Sequence, residues 1–136
     1  MIVGVVFLLV GVLGFVPGIT SRYSEMEMAG HNSMALLLGL FMVSVLHNIV
    51  HLLFGIAGLL MSRTAGAARA YLIGGGATYL VLWIYGLVID QRSAANFVPL
   101  NTADNWLHLF LGIGMILLGV VFGRNMATVG RRDAAV

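Results

Sequence analysis

Histidine and aspartate recur at helical spacing in two apolar stretches of this chain. His47 and His51 lie four residues apart in "LHNIVHLLFGIAGLL", and Asp104 and His108 have the same spacing in "ADNWLHLFLGIGMIL". Residues four apart share one face of an α-helix, so each pair points in one direction. Imidazole and carboxylate groups bind Zn²⁺, and imidazole also binds copper and iron. The spacing therefore predicts a metal site built from two helices.

The two stretches also resemble each other along their length. Aligned at a constant offset of 57 residues, they place Asp104 opposite His47. The identical pairs are Asn48 and Asn105, His51 and His108, Leu52 and Leu109, Gly55 and Gly112, Ile56 and Ile113, and Leu60 and Leu117. The segments that precede these stretches match poorly. The prediction of two parallel two-helix repeats therefore rests on these two windows.

The composition bounds the class of protein. Of the 136 residues, 60% are hydrophobic and 9% are charged, whereas soluble proteins carry about 25% charged residues. A bilayer core about 30 Å thick needs about 20 apolar residues for each helical span. We therefore expect an all-α integral membrane four-helix bundle that forms one domain over residues 1–136. The chain has no cysteine, which excludes thiolate ligands, and its net charge of +2 gives no reason to expect nucleic acid as a partner.

The apolar residues fall into four blocks and one shorter segment. The four blocks predict spans at about 1–17, 45–62, 68–89 and 104–123. The segment at 31–44 is too short for a span and predicts an interfacial or re-entrant piece. The alternative is one continuous helix from Ser33 to Ser62. Ser44 and Asn101 precede spans at equivalent places in the repeat, and both are favoured N-cap types, which favours a helix break at Ser44.

Arginine is distributed unevenly around the predicted spans. Arg22 and Arg92 flank one side, and the other side holds Arg63, Arg69, Arg124, Arg131 and Arg132. Basic residues are enriched in cytoplasmic loops, so we expect both termini and the tail at 124–136 in the cytoplasm. All four histidines then lie toward the extracytoplasmic side.

Glycines continue the face of each polar pair. Gly55 follows His51 by four residues, and Gly112 follows His108 by four. Small residues let helix backbones approach closely in membranes. We therefore expect the second and fourth spans to meet along these glycines, with the polar pairs converging near the outer end of the bundle.

Three interpretations of this convergence stay open. In the first, His47, His51, Asp104 and His108 bind one Zn, copper or iron ion, and an open coordination position would permit chemistry on bound water. In the second, His51 and His108 hold a haem, and the adjacent glycines leave room for the macrocycle. In the third, the groups form an internal hydrogen-bond cluster in which Asp104 accepts from His47 or His51.

The motifs "LHNIVHLLFGIAGL" and "PLNTADNWLHLFLGIGM", in this order, resemble those of a family of small four-helix bacterial membrane proteins grouped as a domain of unknown function. The resemblance extends from the first span through Gly123. It implies a multi-pass protein of the bacterial inner (plasma) membrane, surrounded by the lipid bilayer. The polar residues of both motifs are expected to be family hallmarks, and no reaction is implied.

Two classes of function follow from these observations. The first is metal binding near the extracytoplasmic face, with the reaction unknown and enzymatic activity left open. The alternative is a non-catalytic accessory or structural subunit of a larger membrane complex. Short loops and glycine-rich helices suit packing against other membrane subunits or in a homo-oligomer, and they offer little surface for handling a soluble substrate.

Overall fold

The computed structural model describes the backbone of residues 1–133 and the side chains of residues 1–122. Within this part the chain forms the helices α1 (Ile2–Leu13), α2 (Val45–Met61), α3 (Ala65–Val88) and α4 (Thr102–Asp133). The predicted all-α, four-helix class is confirmed. Two segments, Ala65–Val88 and Thr102–Phe122, are long and apolar enough to cross a membrane, whereas α1 and α2 are apolar but shorter.

The helix bounds differ from the predicted spans mainly at two places. Helix α1 ends at Leu13, ahead of the expected end near residue 17, and Pro17 follows after two tight turns. Proline has no backbone N–H and cannot extend a helix from its interior. Helix α4 continues beyond the expected end near residue 123 to Asp133, so its backbone includes most of the predicted tail at 124–136. Residues 134–136 lie outside the described part.

Helices α1 and α2 form an antiparallel hairpin in close contact. A Cβ added to Gly4 would lie 3.0 Å from the carbonyl oxygen of Gly55, and one added to Gly11 would lie 2.9 Å from the backbone nitrogen of Leu52. Residue numbers rise in α1 as they fall in α2, so the two helices run in opposite directions. Only glycine allows this separation, because any side chain would press on the neighbouring backbone.

Helices α3 and α4 form a second hairpin of the same kind. A Cβ added to Gly76 would lie 2.7 Å from the carbonyl oxygen of Gly112, and one added to Gly119 would lie 3.4 Å from the backbone nitrogen of Ile73. Helices α2 and α3 are joined by the short turn at 62–64, so they also run in opposite directions. It follows that α2 and α4 are parallel.

The two hairpins are related by an internal repeat with unequal offsets. Gly14 follows Gly4 by ten residues, as Gly86 follows Gly76, and each glycine occupies the same place against its partner helix. The first helices are thus offset by 72 residues and the second helices by 57, so equivalent positions of the two helices are separated by 15 more residues in the first hairpin than in the second. A comparison at one constant offset misses the match between α1 and α3 for this reason.

The longer connection folds into a small antiparallel sheet of β1 (Thr20–Ser21), β2 (Leu36–Leu37) and β3 (Phe41–Met42), in the order β1-β2-β3, with a 3₁₀ turn at Tyr23–Glu25. The alternative of one continuous helix from Ser33 to Ser62 is therefore wrong. Helix α2 begins at Val45, and the hydroxyl of Ser44 accepts a hydrogen bond from the backbone N–H of His47 at 3.1 Å. The predicted N-cap at Ser44 is confirmed.

The predicted contact between α2 and α4 along their glycines is wrong. Gly55 packs on α1 and Gly112 packs on α3, so each glycine face is used inside its own hairpin. The space between the hairpins is filled by a cluster of large side chains, which are Phe7, Tyr71, Tyr79 and Met115, with Phe54 packed against them. A second cluster of Ala35, Leu37 and Val43 lies under the sheet.

The substitution Gly76→Ala should lower the free energy of unfolding, by about 1–3 kcal/mol, because the added methyl presses on the backbone of α4. Gly74→Ala is the matched control, since nothing lies within 4 Å of a Cβ at Gly74. That change should be neutral or stabilising, by up to about 1 kcal/mol, because alanine favours helix. Denaturation of both variants in the same detergent measures the difference, and equal stability of the two would contradict the packing of this hairpin.

Candidate functional site

Three of the four histidines lie together at the end of the two hairpins where α2 and α4 begin. The ring centroids of His47 and His51 are 4.5 Å apart. His108 on α4 contacts Tyr79, Tyr79 stacks on Phe7, and Phe7 stacks on His51, so the imidazoles of both helices adjoin the same pair of aromatic rings. The structure thus brings together three of the four residues that the sequence predicts as a site.

The helix starts explain why these side chains converge. His51 is the seventh residue after the cap Ser44, and His108 is the seventh residue after Asn101, which precedes α4. Because α2 and α4 are parallel, equal distances from the helix start place the two imidazoles at similar depth. At about 1.5 Å per residue, His47 lies one turn nearer the helix start than His51.

Aromatic rings form the floor of the cluster. Phe7 of α1 stacks on His51 with ring centroids 5.8 Å apart, and it stacks on Tyr79 of α3 at 5.5 Å. Tyr79 in turn contacts the ring of His108 at 5.1 Å. Each of the four helices therefore contributes a side chain to the cluster. Sequence reasoning did not identify Phe7 or Tyr79 as part of the cluster, and the hydroxyl of Tyr79 within the apolar helix α3 is a signal that could have suggested it.

All three histidines are buried with one unpaired nitrogen. His47 is 6% exposed, His51 9% and His108 3%. Within the described part of the chain, the Nδ1 atom of each of the three has no hydrogen-bond partner. Leaving a buried polar atom unpaired costs about 1–3 kcal/mol, so such atoms are rare in folded proteins. The Oδ1 atoms of Asn48 and Asn105 are also buried and unpaired, and the three imidazole nitrogens are the ones that share a cluster.

The side chain of Asp104 forms hydrogen bonds with backbone groups around the start of α4, and not with the imidazoles of the cluster. Its Oδ2 accepts from the backbone N–H of Asn101 at 3.0 Å, and the side chain of Asn101 accepts from the backbone N–H of Asp104 at 2.9 Å. This reciprocal pair is a capping box. The same Oδ2 accepts from the backbone N–H of Met42 at 3.0 Å, which attaches β3 to α4. Among the described side chains, neither His47 nor His51 donates the hydrogen bond to Asp104 that the third interpretation requires.

The sheet and the loop before α4 cover the cluster from outside. The imidazole of His47 lies near the backbone carbonyls of Met42 on β3 and Pro99 in the loop. Met42 is also the residue that Asp104 holds. The carboxylate therefore fixes the cover over the histidines and does not enter their cluster.

The two asparagines of the motifs stay within their own hairpins. A Cβ on Gly14 would overlap the side-chain amide of Asn48, and a Cβ on Gly86 would overlap that of Asn105. The Asn105 amide donates to the carbonyl of Gly86 at 3.1 Å. These residues join the two helices of each hairpin at the end where the histidines lie.

The fourth histidine, His31, lies in the loop before β2 and is partly exposed.

The present orientation of the imidazoles limits which ion or cofactor the cluster can bind. In the described part of the chain, no group of three or more His, Asp or Glu side chains is arranged to hold a metal ion. The imidazoles share one region, so binding a common ion would require rotations about their side-chain bonds. Haem would need more space than this packing leaves. Cβ atoms added to Gly55 and Gly112 would lie 2.6 Å from Leu8 and 2.7 Å from Leu80, so the room beside these glycines is filled.

Residues 1–121 match the family described as "Domain of unknown function (DUF4383)", and the chain belongs to this family. The match extends from α1 almost to the end of the apolar part of α4 and includes both histidine motifs. No curated protein and no solved structure matches the chain. The predicted family is therefore confirmed, and it carries no assigned reaction.

The substitution Asp104→Ala should lower the free energy of unfolding, by about 1–3 kcal/mol, because it leaves two backbone N–H groups without their acceptor. Asp104→Asn is the control that keeps a side-chain oxygen, and its loss should be smaller. Hydrogen exchange in detergent should be faster at the amides of Met42 and Asn101 in the alanine variant. Unchanged exchange at Met42 would show that the carboxylate does not hold β3.

Proposed function

We propose that this member of the DUF4383 family binds one transition-metal ion with His47, His51 and His108 near the outer face of a membrane-embedded helix bundle. The observation that carries the proposal is the set of three buried, unpaired Nδ1 atoms in one cluster. A neutral imidazole binds zinc, copper or iron through an unpaired ring nitrogen. Ionisable side chains in a membrane domain are costly and usually functional, and here His47 and His51 are in contact while His108 lies across the same aromatic rings.

The surroundings suit a bound ion in several ways. The rings of Phe7 and Tyr79 exclude water from below, which strengthens the attraction between an ion and its ligands. The cover of β3 and the Pro99 loop lies above His47. Asp104 belongs to this cover, so we assign it the role of holding Met42 in place and leave the three imidazoles as the ligands.

Three histidine ligands leave a coordination position for water. A zinc ion in such a site makes its water acidic enough to act as a nucleophile near neutral pH. Among the described side chains, the only carboxylate next to the cluster is already bonded to two backbone N–H groups. The proposal is therefore metal binding near the extracytoplasmic face, and no reaction is assigned to the site.

The proposed membrane topology follows from the antiparallel order of the helices. Met1, the turn with Arg63 and the later part of α4 lie at one end of the bundle, and Arg22 and Arg92 lie at the other. The positive-inside rule then places both termini in the cytoplasm and the histidine cluster toward the outside. The apolar outward faces of α2 and α4 support lipid contact, with exposed side chains that include Leu53, Ile56, Phe110 and Leu117.

Protein purified in detergent without chelators should contain about one equivalent of zinc, copper or iron, by analogy with other sites of three imidazole ligands. The metal content should be lost in a His51→Ala, His108→Ala double variant. His31→Ala is the matched control, because this histidine lies outside the cluster, and it should retain the metal. Elemental analysis of the three proteins measures the difference.

Two outcomes would contradict the proposal. Equal metal content in the wild type and the double variant would place any ion elsewhere. Absence of metal from the wild type, also after incubation with zinc and copper salts, would favour the accessory-subunit alternative. An intense visible absorption band from the purified protein would instead favour haem on His51 and His108.

A further inference from the structure

The turn between β2 and β3 exposes an apolar tip. Leu38 is 66% exposed and Leu40 is 54% exposed, although leucine is among the residues most often buried in folded proteins. No charged residue occurs between Glu27 and Arg63. The exposure of the tip is therefore not favoured by a charged side chain in this part of the sequence. We define the hairpin tip as residues 38–40.

The backbone of the tip holds leucine in an unfavourable conformation. Leu38 has φ 54° and Gly39 has φ 71°, so both central residues of the turn lie in the left-handed region. Turns of this kind strongly prefer asparagine, aspartate or glycine at both positions, because a Cβ is strained there. A large apolar side chain at the first position therefore opposes the turn. Such an outlier is a reason to look for a function of the side chain.

Side chains of α4 hold the tip at the level where a membrane-capable helix begins. The amide of Asn101 donates to the carbonyl of Leu40 at 2.9 Å, and Asp104 accepts from Met42 two residues further on. Asn101 immediately precedes the apolar segment Thr102–Phe122. The exposed rings of Trp106 and Phe110 follow within the first turns of this helix, 57% and 66% exposed.

We propose that the hairpin tip inserts Leu38 and Leu40 into the outer leaflet of the bilayer, at the boundary between headgroups and acyl chains. The partner is lipid because the tip carries no charge and is bonded to Asn101, the residue that precedes the membrane-capable part of α4. Tryptophan is enriched at this depth, and Trp106 lies in the second turn of α4. Burial in the leaflet removes the two exposed leucines from water and offsets the strain at Leu38.

Insertion of the tip would also affect the cover of the histidine cluster. The tip, β3 and the first turn of α4 are joined by the bonds of Asn101 and Asp104, so lipid contact at Leu38 and Leu40 helps to fix Met42 over His47. The membrane insertion itself does not depend on whether a metal binds below it.

The absence of cysteine from the chain makes this proposal directly testable. Single-cysteine variants Leu38→Cys, Leu40→Cys, Phe110→Cys and Ser24→Cys would each carry an environment-sensitive fluorophore in phosphatidylcholine nanodiscs. Phe110 is the lipid-facing reference, and Ser24, exposed in the 3₁₀ turn, is the aqueous reference. Quenching is measured with nitroxide-labelled lipid and, separately, with iodide in the buffer.

The fluorophores at residues 38 and 40 should lose fluorescence to nitroxide lipid, as at Phe110, and should resist iodide. Quenching by iodide to the extent seen at Ser24 would overturn the proposal. Resistance to both quenchers would also overturn it, because a second copy or another protein would then cover the tip. Leu38→Asn in the Leu40→Cys background suits the turn and should preserve folding, yet it should increase quenching by iodide.

Discussion

The close contact of glycine backbones within each hairpin is the constraint on which this structure depends. In lipid, helices gain little from burying apolar side chains against each other, because the acyl chains are equally apolar. Gly4 against Gly55 and Gly76 against Gly112 let the helices approach until backbone atoms touch. These contacts set the register of each hairpin, and the same register in both hairpins makes α2 and α4 equivalent, while the short turn between α2 and α3 makes them parallel.

The histidine cluster is a consequence of that equivalence. His51 and His108 lie at similar depth because each follows its helix start by the same number of residues. The hairpins do not meet through glycines, so the gap between them accommodates rings, and Phe7 and Tyr79 stack across it beneath the imidazoles. In this arrangement the Nδ1 atoms of the three imidazoles are buried and have no hydrogen-bond partner among the described residues.

Local patterns in the sequence predicted part of this arrangement. The break at Ser44 follows from capping, which depends on neighbours in the chain. The convergence of His51 and His108 was predicted from a glycine contact between α2 and α4 that does not exist, and it arises instead from the equivalent positions of the two helices in the repeat. The partner of Asp104 did not follow, because Met42 is 62 residues away and belongs to a sheet whose short strands have no clear alternation. The leucine at position 38 opposes the turn it occupies, so turn preferences predicted no hairpin there.

The internal repeat was only partly recognised from the sequence. Matching at the offset of 57 residues identified α2 and α4 but not α1 and α3, because the longer connection of the first hairpin shifts its register. The spacing of Gly4 and Gly14 equals that of Gly76 and Gly86 and relates α1 to α3. This match is recognised only once the residue that each glycine contacts is known. The predicted contact between α2 and α4 was wrong because the sequence alone did not show that Gly55 packs on α1 and Gly112 on α3.

The most direct test of the account is ¹⁵N NMR of the protein with labelled histidine, titrated with zinc in detergent. We expect the ring-nitrogen resonances of His47, His51 and His108 to shift together at one equivalent of zinc, by analogy with other zinc sites of three histidines. The resonances of His31 should stay unchanged. A shift confined to His31, or no shift at any histidine, would contradict a shared metal site.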